Sequence, residues 1–204
     1  MNRTTFGSVV ARAANVQGRV ASGPMQQQTV SLPSGDLTVR LDGPDSGHAV
    51  LLLPADDDGA DVFDDTAARL TTSDLRTVTL EPGVSPNDTD LVALLDALGL
   101  PWVNLVGRGE GADRAWSLAA RTFGRVSSLV VIDRGHPAVR DDSGCPAVEL
   151  RTTMVVVDPT FAEEASATSR YVYGDYRVVT LDSSTPDAAA AALATEIVMR
   201  TSAW

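Results

Sequence analysis

The sequence predicts an α/β fold, with a mostly parallel sheet of about eight strands and helices on both faces. Strand-like and helix-like segments alternate along most of the chain, which requires crossover connections and therefore parallel strands. The segment 49–54, AVLLLP, is continuously apolar, as in strands that are buried on both faces of a parallel sheet. A chain of 204 residues is long enough to bury one sizeable core, so we expect a single folded domain over residues 28–204.

The first half of this domain is expected to begin with a hairpin and to continue with strand–helix units. Ser-Gly separates two short strand segments, which is typical of a hairpin. The apolar face of the second helix consists of leucines at helical spacing, with Asn87 or Asp88 as its cap and Gly99 at its end. The expected strands are 29–34, 37–43, 49–54 and 76–81, and the expected helices lie near 61–71 and between Asn87 and Gly99.

The second half repeats the strand–helix alternation. The helix after the strand 102–107 has a face of small residues, which would let it lie close to the sheet. Thr185 and Pro186 are a cap and a first-turn proline for the last helix. The expected strands are 102–107, 127–133, 152–158 and 176–182, the expected helices are 112–123, one near 161–170 and 186–200, and 134–151 is expected to be irregular.

Residues 1–27 are expected to form a flexible N-terminal arm. This segment contains Arg3, Arg12 and Arg19 and no acidic residue, whereas the rest of the chain is strongly acidic. The arm could be a partner-binding segment, a disordered tail, or an over-long start before a true initiator at Met25.

The net charge of −11, with 16 arginines and no lysine, argues against binding to nucleic acid or to an anionic membrane. The apolar runs are too short to span a bilayer, and no signal peptide is recognised. The single cysteine excludes an internal disulfide and fits a reducing compartment. We therefore expect a cytoplasmic protein.

A glycine-rich turn follows the strand 102–107, in the sequence VGRGEG at 106–111, and precedes an Ala-rich helix. Together with the continuation AARTFGRVSSLVVID, this strand–turn–helix segment resembles the G-x-S-x-G elbow region of the α/β-hydrolases. The resemblance covers about residues 29–200 and implies an α/β-hydrolase fold. Residues 134–151 are too few for a cap domain, so we expect none.

The resemblance also implies where catalytic residues should lie. The nucleophile position is Gly109, which has no side chain, and the loop that should hold the histidine, 182–185, has none. Asp158 stands at the main acid position and Asp133 at an alternative one, while Pro54-Ala55 replaces the first oxyanion turn. Glycine occupies the strained backbone conformation of an elbow without cost, so Gly109 would keep the turn and abolish the chemistry.

Other polar residues offer weaker candidates. Asp133 and His136 could act as acid and base on a bound ligand, or His136 could be an exposed loop histidine. Glu110 would place its N–H at the oxyanion position, or would simply favour the helix N-terminus. A ligand would contact residues at the elbow and its neighbouring loops, namely Pro54, Ala55, Gly109, Glu110 and His136.

Metal and thiol chemistry are not expected. The run Asp56-Asp57-Asp58-Gly59 fails the calcium-loop pattern because the first ligand position would fall on Pro54. Cys145 near Asp141 and Asp142 should have a raised pKa, which disfavours a reactive thiolate. His48 should lie in a surface turn. We expect no cofactor and no metal.

The leading hypothesis is a catalytically degenerate, hydrolase-like protein that acts as a binding or scaffold protein, with a protein partner or as a homo-oligomer. The alternative is an atypical hydrolase or lyase that uses Asp133 and His136 on a small ester-like or carbonyl substrate.

Overall fold

A computed structural model describes residues 25–45, 48–141, 144–181 and 185–201. These residues form one eight-stranded sheet with the strand order β1-β2-β4-β3-β5-β6-β7-β8. β2 pairs antiparallel with β1 and β4, and every other neighbouring pair is parallel. The predicted fold class is therefore confirmed. The strands are β1 Gln26–Leu32, β2 Gly35–Asp42, β3 Ala49–Leu53, β4 Arg76–Leu80, β5 Val103–Arg108, β6 Val126–Ile132, β7 Arg151–Val156 and β8 Tyr176–Thr180.

Six α-helices lie between or after the strands of the described chain. Asn87 caps α2 by accepting a hydrogen bond from the Asp90 N–H, and Asp90 accepts one from the Asn87 N–H in return. The Thr185 hydroxyl accepts a hydrogen bond from the Ala188 N–H at the start of α6, as the sequence predicts. The helices are α1 Asp64–Thr72, α2 Asp88–Ala97, α3 Glu110–Arg121, α4 Pro137–Arg140, α5 Ala162–Thr168 and α6 Pro186–Thr201.

The core lies on both faces of the sheet because successive side chains of a strand point to opposite sides. In β3, Leu51 and Leu53 pack toward the buried residues of α2 and α3, whereas Val50 and Leu52 pack toward α1 and α6. All five side chains of β3 are buried, which explains its continuous apolar sequence.

Three expected segments differ in detail from the structure. β1 begins at Gln26, two residues before the expected domain start; residues 1–24 of the arm lie outside the described residues. The segment 134–151 contains the short helix α4 and a bridge between Val148 and Val172. The expected helix near 161–170 is α5 flanked by two short 3₁₀ turns. Among the described residues, no helix is long and apolar enough to span a membrane.

Candidate functional site

The elbow lies at the carboxyl edge of the sheet, between the last residue of β5 and the first residue of α3. Gly109 has φ 53° and ψ −127°, a conformation that a residue with a Cβ atom adopts only under strain. Two residues earlier, a Cβ atom on Gly107 would lie 2.6 Å from the Ala112 Cα, so glycine at 107 lets α3 approach the strand. The sequence VGRGEG therefore forms a true strand–turn–helix elbow.

The space beside Gly109 is already occupied. A Cβ atom on Gly109 would lie 2.6 Å from the Cβ atom of Ala55, in the loop that follows β3. Real Cβ atoms do not approach each other this closely, so a serine at 109 would require the loop to move. The position thus lacks a nucleophile and, in this conformation, the room for one.

The loop that contains Pro54 and Ala55 is held by side chains on both sides. The Asp58 carboxylate accepts a hydrogen bond of 2.8 Å from the Ala55 N–H. Glu110 accepts one of 3.3 Å from the Asp56 N–H, and Arg114 donates to the Pro54 carbonyl at 3.2 Å and to Asp56 at 2.9 Å. The Ala55 N–H, which lies in the loop that resembles an oxyanion turn, is consequently already paired within the chain.

Asp133 links the ends of two neighbouring strands. Its backbone has φ 49°, and one carboxylate oxygen accepts hydrogen bonds from the N–H groups of Val157 at 2.7 Å and Asp158 at 3.1 Å. Burial raises the pKa of Asp133, and these two donors oppose the rise. The carboxylate thus connects the turn after β6 to the turn after β7.

Asp158 lies exposed at the carboxyl end of β7, and its side chain caps the 3₁₀ turn that follows. Its carboxylate accepts a hydrogen bond of 2.9 Å from the Thr160 N–H, and hydrogen bonding to Thr160 lowers the pKa of Asp158. This is the turn-and-cap role that aspartate commonly has at a strand end.

His136 is fully buried, so the expectation of an exposed loop histidine is wrong. Its ring stacks on Tyr171 with centroids 4.7 Å apart and meets the edge of Trp116 at 5.0 Å. Nδ1 accepts a hydrogen bond from the Ala138 N–H, so Nε2 carries the proton that it donates to the Pro146 carbonyl at 3.0 Å. Burial lowers the pKa of His136, which keeps the ring neutral.

An ion-pair network surrounds this histidine and was not predicted from the sequence. Arg134 and Arg140 both donate to the Asp113 carboxylate of α3. Arg140 also pairs with Glu164 of α5, whose carboxylate accepts a hydrogen bond of 2.7 Å from the Gly135 N–H. These contacts hold the segment after β6 against α3 and α5.

The other histidine lies far from the elbow along β5. His48 is exposed, as expected, and its ring meets Trp102 edge-on just before β5, whereas Gly109 follows the last residue of that strand. The loop 182–184 lies outside the described residues, and its sequence contains no histidine. Among the described residues, the ring contacts and hydrogen bonds of the two histidines do not include Gly109 or Glu110.

Cysteine and acidic residues form no metal site in the described part of the chain. Cys145 is buried, and burial raises the pKa of its thiol, so the raised pKa predicted from nearby acids has a different main cause. Within the described ranges, no group of three or more histidine, cysteine and acidic side chains is arranged to hold a metal ion.

A cavity of about 370 Å³ opens at the same edge of the sheet, between α1 and α6. Its floor is apolar and its rim is polar; none of Pro54, Ala55, Gly109, Glu110 and His136 lines it, and binding by those five residues stays a prediction. Arg108, the residue before Gly109, lines the cavity and links it to the elbow. The apolar floor includes Phe63, Ile132, Val155, Leu181 and Leu193.

The fold is that of the α/β-hydrolases. An epoxide hydrolase from Vigna radiata superposes with a TM-score of 0.68 at 13% identity, covering 86% of this chain and 97% of the other. The esterase domain of a Rhodothermus marinus protein superposes with a TM-score of 0.69 at 17% identity, covering 87% of this chain and 98% of the other. An α/β-hydrolase fold protein from Nakamurella multipartita superposes with a TM-score of 0.65 at 15% identity, covering 86% of this chain and 99% of the other.

Sequence comparison adds nothing to this likeness. No protein-family model matches the chain, and no curated protein matches it. At the identities of the three structures above, the likeness shows the fold alone. The function has to be argued from this chain's own residues.

Proposed function

We propose that this protein is a catalytically degenerate, hydrolase-like protein that acts through binding. The observation that carries the proposal is the pairing of Gly109 with Ala55. The elbow keeps its backbone geometry, but it presents no side chain, and the Ala55 methyl group fills the place where one would project.

The energetic consequence of this change is large. Removing the nucleophile from a serine triad costs roughly 10⁶ in turnover, or about 8 kcal/mol of transition-state stabilisation. Oxyanion donors alone could retain a small part of the rate. Here the Ala55 N–H already donates to Asp58, which removes one such donor as well.

The alternative function is an atypical hydrolase or lyase that uses Asp133 and His136 on a small ester-like or carbonyl substrate. The hydrogen bonds of these residues do not favour it. His136 uses both ring nitrogens within the chain and is buried, and Asp133 accepts two backbone hydrogen bonds. A general acid or base needs an available proton site within reach of the substrate.

As a binding protein it would work in the cytoplasm with a protein partner, with a small ligand, or as a homo-oligomer. The single cysteine supports a reducing compartment, and the charge of −11 supports partners other than nucleic acid or anionic membranes.

The proposal is tested with a serine-directed fluorophosphonate probe and with hydrolysis of p-nitrophenyl butyrate by the full chain. We expect no labelling and no turnover above that of the heat-denatured protein. Turnover that is lost in both His136→Ala and Asp133→Asn, and kept in the matched variant His48→Ala, would establish the alternative enzyme. Circular dichroism of each variant separates loss of activity from loss of fold.

A further inference from the structure

The cavity between α1 and α6 has the size and lining of a small-molecule site. Its volume of about 370 Å³ lies in the range of ligand pockets. Its floor is formed by apolar side chains at or just after the ends of β6, β7 and β8, by Val62 and Phe63 just before α1, and by apolar residues of α6. A mostly apolar molecule would therefore bury its body here.

Arg108 provides the hydrogen-bond donors at the rim. Its Nε lies 3.4 Å from an Asp58 oxygen, and that carboxylate also accepts the Ala55 N–H. Among the described residues, the two terminal nitrogens of Arg108 have no hydrogen-bond partner, and 47% of the side chain is exposed. They can donate to an acceptor atom on a ligand that lies in the cavity.

The charges around the cavity oppose each other, which disfavours a charged ligand. Asp61 and Asp65 line the rim and have no side-chain partner in the described ranges, so they disfavour an anion. Arg108 disfavours a cation, as do the N-terminal turns of α1 and α6, which contribute Asp65, Thr66 and Pro186 to the lining. A neutral molecule avoids both penalties and can still accept from Arg108.

We propose that this cavity binds an uncharged amphiphile, with its apolar body against Phe63, Ile132 and Leu193 and a hydrogen-bond acceptor on Arg108. The inference rests on the proposed binding role and assigns it a place and a ligand class. The site lies beside the elbow, on the α1–α6 face of the sheet, and uses no residue at the blocked nucleophile position.

Three eight-carbon probes that differ in the charge of the head group test this ligand class. Titration calorimetry would compare 2-octanone, octanoate and octylammonium on the full chain. We expect 2-octanone to bind at least about tenfold more tightly than either ion, because octanoate would face the carboxylates of Asp61 and Asp65 and octylammonium has no acceptor atom for Arg108. Tighter binding of an ion, or no binding of the ketone, would overturn the inference.

Variants of α6 and Arg108 test the location. Ala190→Phe and Ala189→Phe each place a ring in the cavity and should weaken ketone binding by about tenfold or more, whereas Ala188→Phe, at an exposed position of the same helix, should not. Arg108→Met should weaken it by about tenfold. Thermal melting of each variant confirms that it is folded.

The outcomes also separate this inference from the proposed function. Ketone binding that is equal in the wild type, Ala190→Phe and Ala189→Phe would overturn the site and leave a binding role intact. Fluorophosphonate labelling of the same preparation would overturn the non-catalytic proposal whatever the ketone does.

Discussion

Ala55 and Gly109 meet at the elbow with no room between them. The two residues belong to different loops, one after β3 and the other after β5, and these strands are neighbours in the sheet. A Cβ atom at 109 would lie 2.6 Å from the Ala55 Cβ, so each position restricts what the other can hold. A side chain at 109 requires a change at 55.

This coupling predicts the effect of adding a methyl group at the elbow. We expect Gly109→Ala to lower the free energy of unfolding by about 2–4 kcal/mol, from backbone strain at positive φ and from overpacking against Ala55. Urea denaturation measures the loss. Gly124→Ala is the matched control, because Gly124 also has positive φ but has open space around its Cβ position.

A double-mutant cycle separates strain from contact. Ala55→Gly in the background of Gly109→Ala should recover the contact part of the loss and leave the strain of about 1–3 kcal/mol. If Ala55→Gly costs the same stability in both backgrounds, the two residues are not coupled and the account of the blocked elbow is wrong.

The loop that contains Ala55 should depend on Arg114. This side chain reaches the Pro54 carbonyl, Asp56 and Ser85, and so connects three segments. We expect Arg114→Met to lower the free energy of unfolding by about 1–3 kcal/mol, because it leaves the Pro54 carbonyl without this donor and Asp56 without its ion pair. Hydrogen exchange should accelerate at the N–H groups of Ala55 and Asp56. Arg170→Met, a change at an exposed arginine elsewhere, should leave those two amides unchanged.

The free energy of unfolding should also decrease as the pH falls, because His136 is buried as a neutral ring. Because burial lowers the folded-state pKa of His136, the unfolded chain binds the proton more readily once the pH falls below about 6.5. The stability that the neutral ring contributes is therefore present above that pH and is lost progressively as the pH falls toward the folded-state pKa. Urea denaturation between pH 7.5 and about 5, above the usual carboxyl range, measures this slope.

The variant His136→Phe keeps an aromatic ring against Tyr171 and removes the titrating group. It should lower the free energy of unfolding by about 1–3 kcal/mol at pH 7.5, because the Ala138 N–H and the Pro146 carbonyl lose their partner. It should also make the free energy of unfolding less dependent on pH. His48→Gln should keep the wild-type slope. If the dependence of stability on pH survives in His136→Phe and disappears in His48→Gln, His136 is not the group that causes it.

The sequence predicted the elbow and α2 well because both depend on local chemistry. The elbow is determined by a strand, a glycine turn and a helix within a few residues, and α2 by Asn87 and a face of leucines. The same local information could not predict the block by Ala55, which comes from a loop on a neighbouring strand. The sequence shows that residue 109 is a glycine, but it does not show how much space surrounds that residue.

The burial of His136 was not predictable from its neighbours in the chain. Its exposed-looking context, between a glycine and a proline, resembles a surface turn, but Trp116, Tyr171 and Thr168 enclose it from distant parts of the sequence. The cavity was not predictable for the same reason, since its lining comes from six separate segments of the chain. The alternation of strands and helices indicates which edge carries such features, but not which side chains meet there.

Arg200 should anchor the last helix, which forms one wall of the cavity. It is nearly buried, donates to the Thr153 hydroxyl at 2.6 Å and to the Thr152 carbonyl at 3.2 Å, and pairs with Asp175. We expect Arg200→Met to lower the free energy of unfolding by about 2–4 kcal/mol, because these acceptors on β7 lose a charged donor.

A matched change in a more exposed ion pair tests this account. Arg69→Met removes an ion pair with Asp187 whose acid is 81% exposed, so it should cost no more than about 1 kcal/mol. Both changes remove one arginine, and the comparison therefore controls for net charge. Equal losses for the two variants in urea denaturation would show that burial of Arg200 against β7 does not anchor α6.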